Sequence, residues 1–232
     1  MIFNTTARIC KTLLAALMLM VVLSGCGGGG SSSAPPINPG LFTPNYVTSL
    51  SHLNHWDHLP VRIRFTFPAN WDQIYPSNQD LYLHAANEWN QPGRQALTIV
   101  VTGGEDVSVT FVPQNTLGGN TQGLTNADFD TTGRMHSATI RVALDTSGGG
   151  ILSPADAQAV IAHEIGHAIG VFGHSPNSED LLFDTIFFGR PNMTTVRDLN
   201  TAMTAYPSYF STSARPPSPS RGIPEMRHIT IE

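Results

Sequence analysis

The stretch AHEIGHAIGVFGH, residues 162–174, holds three of the nine histidines of this 232-residue chain. His163 and His167 are four residues apart, so on a helix their side chains lie about 40° apart and one turn from each other. Both imidazoles can then reach one ion, with the Glu164 carboxylate beside them. Two histidines and a glutamate in this spacing predict a bound zinc ion and a general base.

The flanking residues predict where this helix begins and ends. Ser153 suits the N-cap position, and Asp156 completes a capping pattern with it. Gly170 stands where the helix has to end if the chain is to fold back. His174 then follows as the candidate third zinc ligand, with Asp180 as the alternative.

Residues 1–25 predict an export signal. A basic start precedes eleven apolar residues at 13–23, too few for the roughly 20 that span a bilayer. The next residues, Leu23-Ser24-Gly25-Cys26, resemble the bacterial lipobox, which implies cleavage before Cys26 and acylation of that cysteine. We therefore expect an exported protein that is lipid-anchored to a bacterial membrane and faces the periplasm or exterior, at the outer membrane if the host has one. An ordinary signal peptide or an uncleaved anchor is the alternative.

The composition narrows the possible partners. Cys10 and Cys26 are the only cysteines, so the mature chain has no pair to form a disulfide. Without residues 1–25 the chain keeps ten arginines, no lysine and 17 acidic residues, a formal charge of −7. An acidic chain without lysine is a poor candidate for nucleic-acid binding. We expect a monomer that does not bind nucleic acid.

Local composition predicts three further segments after the signal. Residues 26–44 form a tether rich in Gly, Ser and Pro, and residues 211–232 form a Ser/Pro-rich tail. Residues 45–210 are long enough to bury one core and form the catalytic domain.

Periodicity and capping patterns predict the elements of that domain. Alternating apolar and polar residues predict strands at 61–67, 97–102, 107–112 and 135–144. Capping patterns predict helices that begin at Ser77, Ser153 and Thr195. Residues 115–130 look like a polar loop with at most a short strand at 122–125, and residues 228–231 could add an edge strand. The order of elements predicts an α/β (α+β) fold.

Two other groups of polar side chains are candidates for a second metal site. The first has three histidines at three-residue spacing, His52, His55 and His58, and its alternative is a solvated segment with Trp56 packed on the domain. The second is a loop with carboxylates that could hold a structural Ca²⁺, Asp128 and Asp130 with His136 nearby. Its alternative is a plain polar surface.

The 162–174 block resembles the signature of the metzincin zinc metallopeptidases in their matrixin-like bacterial form. The resemblance covers His163, Glu164 and His167 closely, and the order of elements from 61 to 206 loosely. It implies a metzincin-like catalytic domain with a twisted mixed sheet of about five strands, three helices and a catalytic zinc. It also implies endopeptidase activity, with an edge strand that pairs with extended substrate.

The chain departs from the family pattern at two points. The pattern would place the third histidine at position 173, whereas here Gly173 precedes His174, and we expect Gly173 to absorb the extra residue through backbone angles that favour glycine. Leu182 stands where the family has a methionine beneath the zinc, and Met193 is the less suitable substitute. The cysteine that keeps matrixins latent is absent, so any latency has to work in another way.

These features predict a zinc-dependent endopeptidase. His163, His167 and His174 would bind zinc, and Glu164 would take a proton from the zinc-activated water and pass it to the leaving amine. Two alternatives stay open at this point. One is a zinc amidase that acts on cell-wall peptides, and the other is a non-catalytic surface lipoprotein that keeps the zinc fold for binding.

Overall fold

The fold is that of a computed structural model of the chain. It describes residues 53–90, 96–100, 102–190, 192–206 and 225–232, all within one compact unit, Ile37–Glu232. The predicted signal, Cys26, the tether and His52 lie outside these residues, as does most of the predicted tail. Within these ranges no helix has the length and apolar character needed to cross a membrane.

Six strands form one mixed sheet. They are β1 (Val61–Thr66), β2 (Leu97–Ile99), β3 (Val107–Val112), β4 (Gly123–Asp130), β5 (Met135–Ala143) and β6 (Met226–Ile231). Their order across the sheet is β2-β1-β3-β5-β4-β6. The first three strands and β5 run parallel, whereas β4 runs antiparallel to both of its neighbours. The predicted mixed α/β class is confirmed.

Four α-helices accompany the sheet. They are α1 (Trp71–Ile74), α2 (Leu81–Asn87), α3 (Pro154–Ala168) and α4 (Val196–Ala205), and a 3₁₀ helix covers Gln114–Thr116. The predicted cap of α3 is confirmed, because Ser153 Oγ accepts the Asp156 N–H at 3.2 Å. The predicted capping box of α4 is also confirmed, with Thr195 and Asp198 as its reciprocal partners.

The predicted start of α2 at Ser77 is wrong. The helix begins at Leu81, and the residue before it, Asp80, makes no side-chain cap. Hydrogen bonds of 3.2 Å from Asn78 N to Tyr75 O and from Leu81 N to Asn78 O form turns ahead of the helix. Residues 77–80, which carry the capping pattern, therefore form turns, and the helix starts only after them.

The sequence predicts that residues 115–130 form a polar loop with at most a short strand at 122–125, and the structure extends that strand to Asp130 as β4. Thr125 and Ala127 are buried on one face of this strand. On the other face, Asp128 accepts a hydrogen bond from Ser137 on β5 at 2.7 Å, and Asn126 accepts one from Thr230 on β6 at 2.6 Å. Partners on neighbouring strands let this polar segment adopt an extended conformation. With β6 and the short α1, the described part has six strands and four helices rather than about five and three.

Helix α3 lies in the middle of the core. Twelve of its 15 residues are buried, and it packs on β4, β5 and α2. Ile161, Ile165 and Ala168 expose no surface. A Cβ at Gly166 would lie 2.6 Å from the ring of Trp89, so the absence of a side chain lets the indole pack directly on the helix. The indole N–H of Trp89 also donates to Ala162 O at 2.8 Å.

Candidate metal centre

Three imidazoles meet at one point beside α3. His163 and His167 project from the helix with their Nε2 atoms 3.1 Å apart, and His174 Nε2 lies 3.2 Å from His167 Nε2. The candidate ligand atoms of the three residues all lie within 4.8 Å of one another. The structure thus brings together the two helical histidines and the predicted third one, and the group could bind a metal ion.

The turn after α3 brings His174 to this point. Gly170 has φ +112°, and a Cβ there would lie 1.9 Å from Asn54 O, so only glycine fits. Asn54 N donates to Gly170 O at 2.8 Å, and the indole N–H of Trp56 donates to Ala168 O at 3.0 Å. The described glycines with positive φ include Gly170 and do not include Gly173. The chain reverses at Gly170, as the sequence predicts.

Backbone carbonyls set the tautomers of the two helical histidines. His163 Nδ1 lies 2.8 Å from Leu181 O, and His167 Nδ1 lies 2.7 Å from Val171 O. A carbonyl oxygen only accepts, so each Nδ1 carries the proton and each Nε2 presents a lone pair. Two lone pairs that face each other at 3.1 Å repel each other unless a cation lies between them. Metal-binding histidines usually donate a hydrogen bond from the other ring nitrogen, as Nδ1 does here. The donor set therefore fits a metal.

Burial keeps these imidazoles neutral. It lowers the pKa of His163 to about 4 and that of His167 well below its ordinary value. It also lowers the pKa of the half-buried His174. Metal ligation needs the neutral imidazole, and all three residues supply that form at neutral pH.

Glu164 lies next to the histidine group and is buried. Its Oε2 accepts the Thr125 hydroxyl at 2.5 Å. A Cβ at Gly123 would lie 2.2 Å from Glu164 Oε1, so the glycine of β4 leaves the space for this carboxylate. Burial raises the pKa of Glu164 to about 8, only partly offset by the hydrogen bond from Thr125.

A cleft of about 540 Å³ opens onto His163 and Glu164. Residues 120–123 border it, and Ile186 and Phe188 add apolar surface. Glu232, which follows β6, lines it too. The cleft therefore has both polar and apolar lining beside the candidate centre, as ligand-binding sites do.

Leu182, the residue predicted to form the floor beneath the zinc, packs against α3. It exposes no surface, and one of its methyl groups would lie 2.7 Å from a Cβ at Gly166, between the two helical histidines in the chain. Met193 is 57% exposed and cannot form this floor. Asp198 accepts the backbone N–H groups of Leu181 and Leu182 at 2.9 and 3.2 Å, which holds the floor in place.

Asp180, the alternative third ligand, points elsewhere. Its carboxylate accepts two hydrogen bonds from Arg197, at 2.7 and 2.9 Å, and others from Ser175 and Thr195. Burial raises the pKa of Asp180, but the hydrogen bonds from these partners outweigh it and the pKa is lowered overall. A carboxylate with four donors has no need of a metal.

The described members of the other candidate groups do not form a metal site. His58 lies between Asp57 and Asp106, at 2.8 and 3.0 Å, and Trp56 is packed on the domain as the alternative predicted. Asp130 pairs with His136 at 3.0 Å. In the part of the chain that the structure describes, His163, His167 and His174 form the only group of three candidate metal ligands.

Sequence reasoning missed Gly123 and Thr125, which make room for and hold Glu164. Both lie 39 or more residues from Glu164 in the chain, in a stretch interpreted as a polar loop with at most a short strand at 122–125. The alternation of apolar and polar residues in Ala127-Asp128-Phe129-Asp130 is a signal of a longer strand, and it is weak in a polar segment.

Comparison with known proteins does not identify a family for this chain. No family model matches the chain, and no curated protein matches it significantly. The chemistry of the centre therefore has to be inferred from its own residues, and the metzincin resemblance stays a prediction.

Proposed function

We propose that this protein is a zinc-dependent endopeptidase of the metzincin type that hydrolyses peptide bonds in protein or peptide substrates. The observation that carries the proposal is the convergence of His163, His167 and His174 beside the buried carboxylate of Glu164, at the wall of one cleft. Three neutral histidines with a free side are the ligand set of catalytic zinc, whereas structural zinc sites use four protein ligands.

His163, His167 and His174 would hold the ion through their Nε2 atoms. Zinc in such a site supplies a Lewis acid that polarises the scissile carbonyl and lowers the pKa of water. The hydrogen bonds from His163 and His167 to backbone carbonyls keep both rings oriented toward the ion.

Glu164 is the general base. The Thr125 hydroxyl occupies Oε2 at 2.5 Å and restricts the carboxylate to one orientation, while Oε1 lies against Gly123. Glu164 lines the cleft together with His163. The positive charge of a bound zinc ion would favour the carboxylate of Glu164 over the neutral acid that burial alone favours. From this position the carboxylate would take a proton from the attacking water and pass it to the departing amine.

We also propose that the enzyme is exported, acylated at Cys26 and anchored to a bacterial membrane. The lipobox-like residues 23–26 and the Gly/Ser tether after them support this placement. The tether would hold a monomeric catalytic domain at some distance from the membrane surface, within reach of protein substrates.

The test combines zinc content with peptide-bond cleavage. We expect one zinc per chain and casein cleavage by the wild type. Glu164→Gln should keep the zinc and lose about 10²- to 10⁴-fold in kcat/KM, the usual contribution of a general base. His174→Ala should lose zinc, whereas His84→Ala, which removes an exposed histidine, should change neither readout.

Each other outcome points to a different conclusion. Equal turnover by wild type and Glu164→Gln would contradict the mechanism, and full zinc in His174→Ala would remove that ligand. Cleavage of cell-wall peptides without casein cleavage would favour an amidase. Bound zinc with no turnover on either substrate would favour a binding protein.

A further inference from the structure

Strand β6 occupies an edge of the sheet. It pairs antiparallel with β4 through six residues, from Met226 opposite Asp130 to Ile231 opposite Thr125. β4 pairs with β5 on one side and with β6 on the other. Without β6, β4 would be the edge strand and would present unpaired N–H and C=O groups.

The end of β6 lies at the candidate metal centre. Ile231 pairs with Thr125, the residue whose hydroxyl holds Glu164. The next residue, Glu232, lines the cleft together with His163 and Glu164. β6 therefore runs along the strand that supports the general base and ends beside the reacting groups.

Few side chains hold β6 in place. Met226, Arg227, His228 and Thr230 are exposed, whereas Ile231 is buried and Ile229 is partly buried against the core. The cross-strand contacts on the outer face are an exposed pair of His228 Nδ1 with Asp128 Oδ1 at 2.7 Å and the Thr230–Asn126 hydrogen bond. Exposed pairs of this kind stabilise weakly. Most of the attachment is backbone pairing, which another extended chain can replace.

We propose that β6 is an autoinhibitory strand, which occupies the edge of β4 where an extended peptide substrate would pair, so that the enzyme is latent until β6 leaves. An extended peptide adds to an exposed sheet edge through main-chain hydrogen bonds. The same edge cannot pair with β6 and a substrate at once. This inference rests on the proposed function, and it supplies a latency device in a chain without the matrixin cysteine.

Competition by β6 sets the size of the effect. If β6 is docked in 90–99% of molecules, the competent fraction is 1–10%, and activity is about 10- to 100-fold below that of the open enzyme. Release of β6 should raise kcat/KM by that factor, and locking β6 should abolish turnover.

A disulfide lock tests the closed state. The hydrogen bond from Thr131 N to Glu225 O and the alternation of antiparallel ladders make Asn126 and Thr230 a non-hydrogen-bonded pair, close enough for a disulfide. The double variant Asn126→Cys/Thr230→Cys should cleave casein only after reduction, with unchanged zinc content. The two single variants and the wild type, treated alike, control for Cys10 and Cys26.

A truncation tests the open state. A chain that stops after residue 224 should cleave casein about 10- to 100-fold faster than the full chain. The synthetic peptide EMRHITIE, residues 225–232, should bind this variant and inhibit it, and a scrambled peptide should do neither. If the truncated chain does not fold, the disulfide variant decides alone.

The outcomes separate the two proposals. Casein cleavage at equal rates by the oxidised and reduced double variant would overturn autoinhibition and leave the peptidase proposal standing. Zinc binding without cleavage by any form would overturn the peptidase proposal. Fluorescence anisotropy of labelled EMRHITIE would then test whether β6 can leave β4. Binding of the peptide to the truncated chain supports a displaceable β6, and the absence of binding overturns the autoinhibition proposal.

Discussion

Three glycines shape the surroundings of the candidate metal centre because they lack a side chain. Gly123 leaves room for the Glu164 carboxylate, Gly166 lets Trp89 and Leu182 approach α3, and Gly170 lets the chain reverse against Asn54. In two of them the constraint is space alone, and in Gly170 it is also a positive φ. Small substitutions at these positions should therefore act on the centre itself.

We expect Gly123→Ala to reduce activity without loss of zinc. The new Cβ would lie 2.2 Å from Glu164 Oε1 and 2.6 Å from Cδ, so the carboxylate has to move. Misplacement of a catalytic group by about 1 Å costs on the order of 10²-fold in rate. The measurement is kcat/KM on a peptide together with zinc content.

Gly150→Ala is the matched control, because its Cβ would meet Thr146 Oγ1 at an ordinary 3.6 Å. Wild-type kcat/KM in Gly123→Ala would show that Glu164 does not need its observed position.

The start of α4 also supports the centre. Asp198 completes the capping box with Thr195 and accepts the N–H groups of Leu181 and Leu182. Leu181 O in turn receives the Nδ1 proton of His163. A helix cap and the orientation of a candidate zinc ligand therefore depend on one fully buried carboxylate.

We expect Asp198→Ala to weaken both stability and metal binding. The substitution removes the acceptor of the Thr195, Leu181 and Leu182 N–H groups, and loss of a cap with buried donors costs about 2–4 kcal/mol in unfolding free energy. Loss of support behind His163 should lower zinc affinity about 10- to 100-fold. Urea unfolding and zinc titration measure the two effects.

Glu179→Ala, in the loop just before Leu181 and exposed at its side chain, should change neither quantity. An unchanged zinc affinity in a folded Asp198→Ala protein would separate the cap from the metal centre.

At the scale of the molecule, the metal would join parts that are distant in the chain. His163 and His167 belong to the buried helix α3, whereas His174 belongs to the loop that leads to the leucine floor and α4. Two buried imidazoles with facing lone pairs, and a half-buried third one beside them, are unfavourable without a cation. The folded state should therefore depend on the ion.

We expect chelation to lower the melting temperature by on the order of 10 °C. A ligand at a thousand times its dissociation constant stabilises the folded state by about 4 kcal/mol, and each kcal/mol is worth about 2–4 °C in a protein of this size. Differential scanning fluorimetry with a chelator, followed by zinc or calcium, measures the shift.

Zinc should restore the melting temperature and calcium should not. His167→Ala should melt at the lower temperature with or without chelator. If the melting temperature of the wild type is the same with and without chelator, metal binding at the centre does not contribute to the free energy of unfolding.

Structural features that are set by residues close together in the chain could be predicted from the amino-acid sequence. Periodicity and caps located α3, with His163 and His167 one turn apart, and the box at Thr195 located α4. The alternation that predicted strands at 61–67, 107–112 and 135–144 is also local. Such features follow from 3.6- and 2-residue periods, which one segment can show alone.

The tertiary structure alone decided which distant segments meet. Thr125 faces Glu164 because β4 packs on α3, and the polar residues of β4 become a strand only when β5 and β6 pair with them. The contact of Asn54 with the predicted reversal at Gly170 likewise joins segments that are distant in the chain. The position of β6, about 100 residues from β4 in sequence, depends on backbone pairing. Backbone hydrogen bonds of a strand carry no residue-specific signal, so no local pattern could assign them.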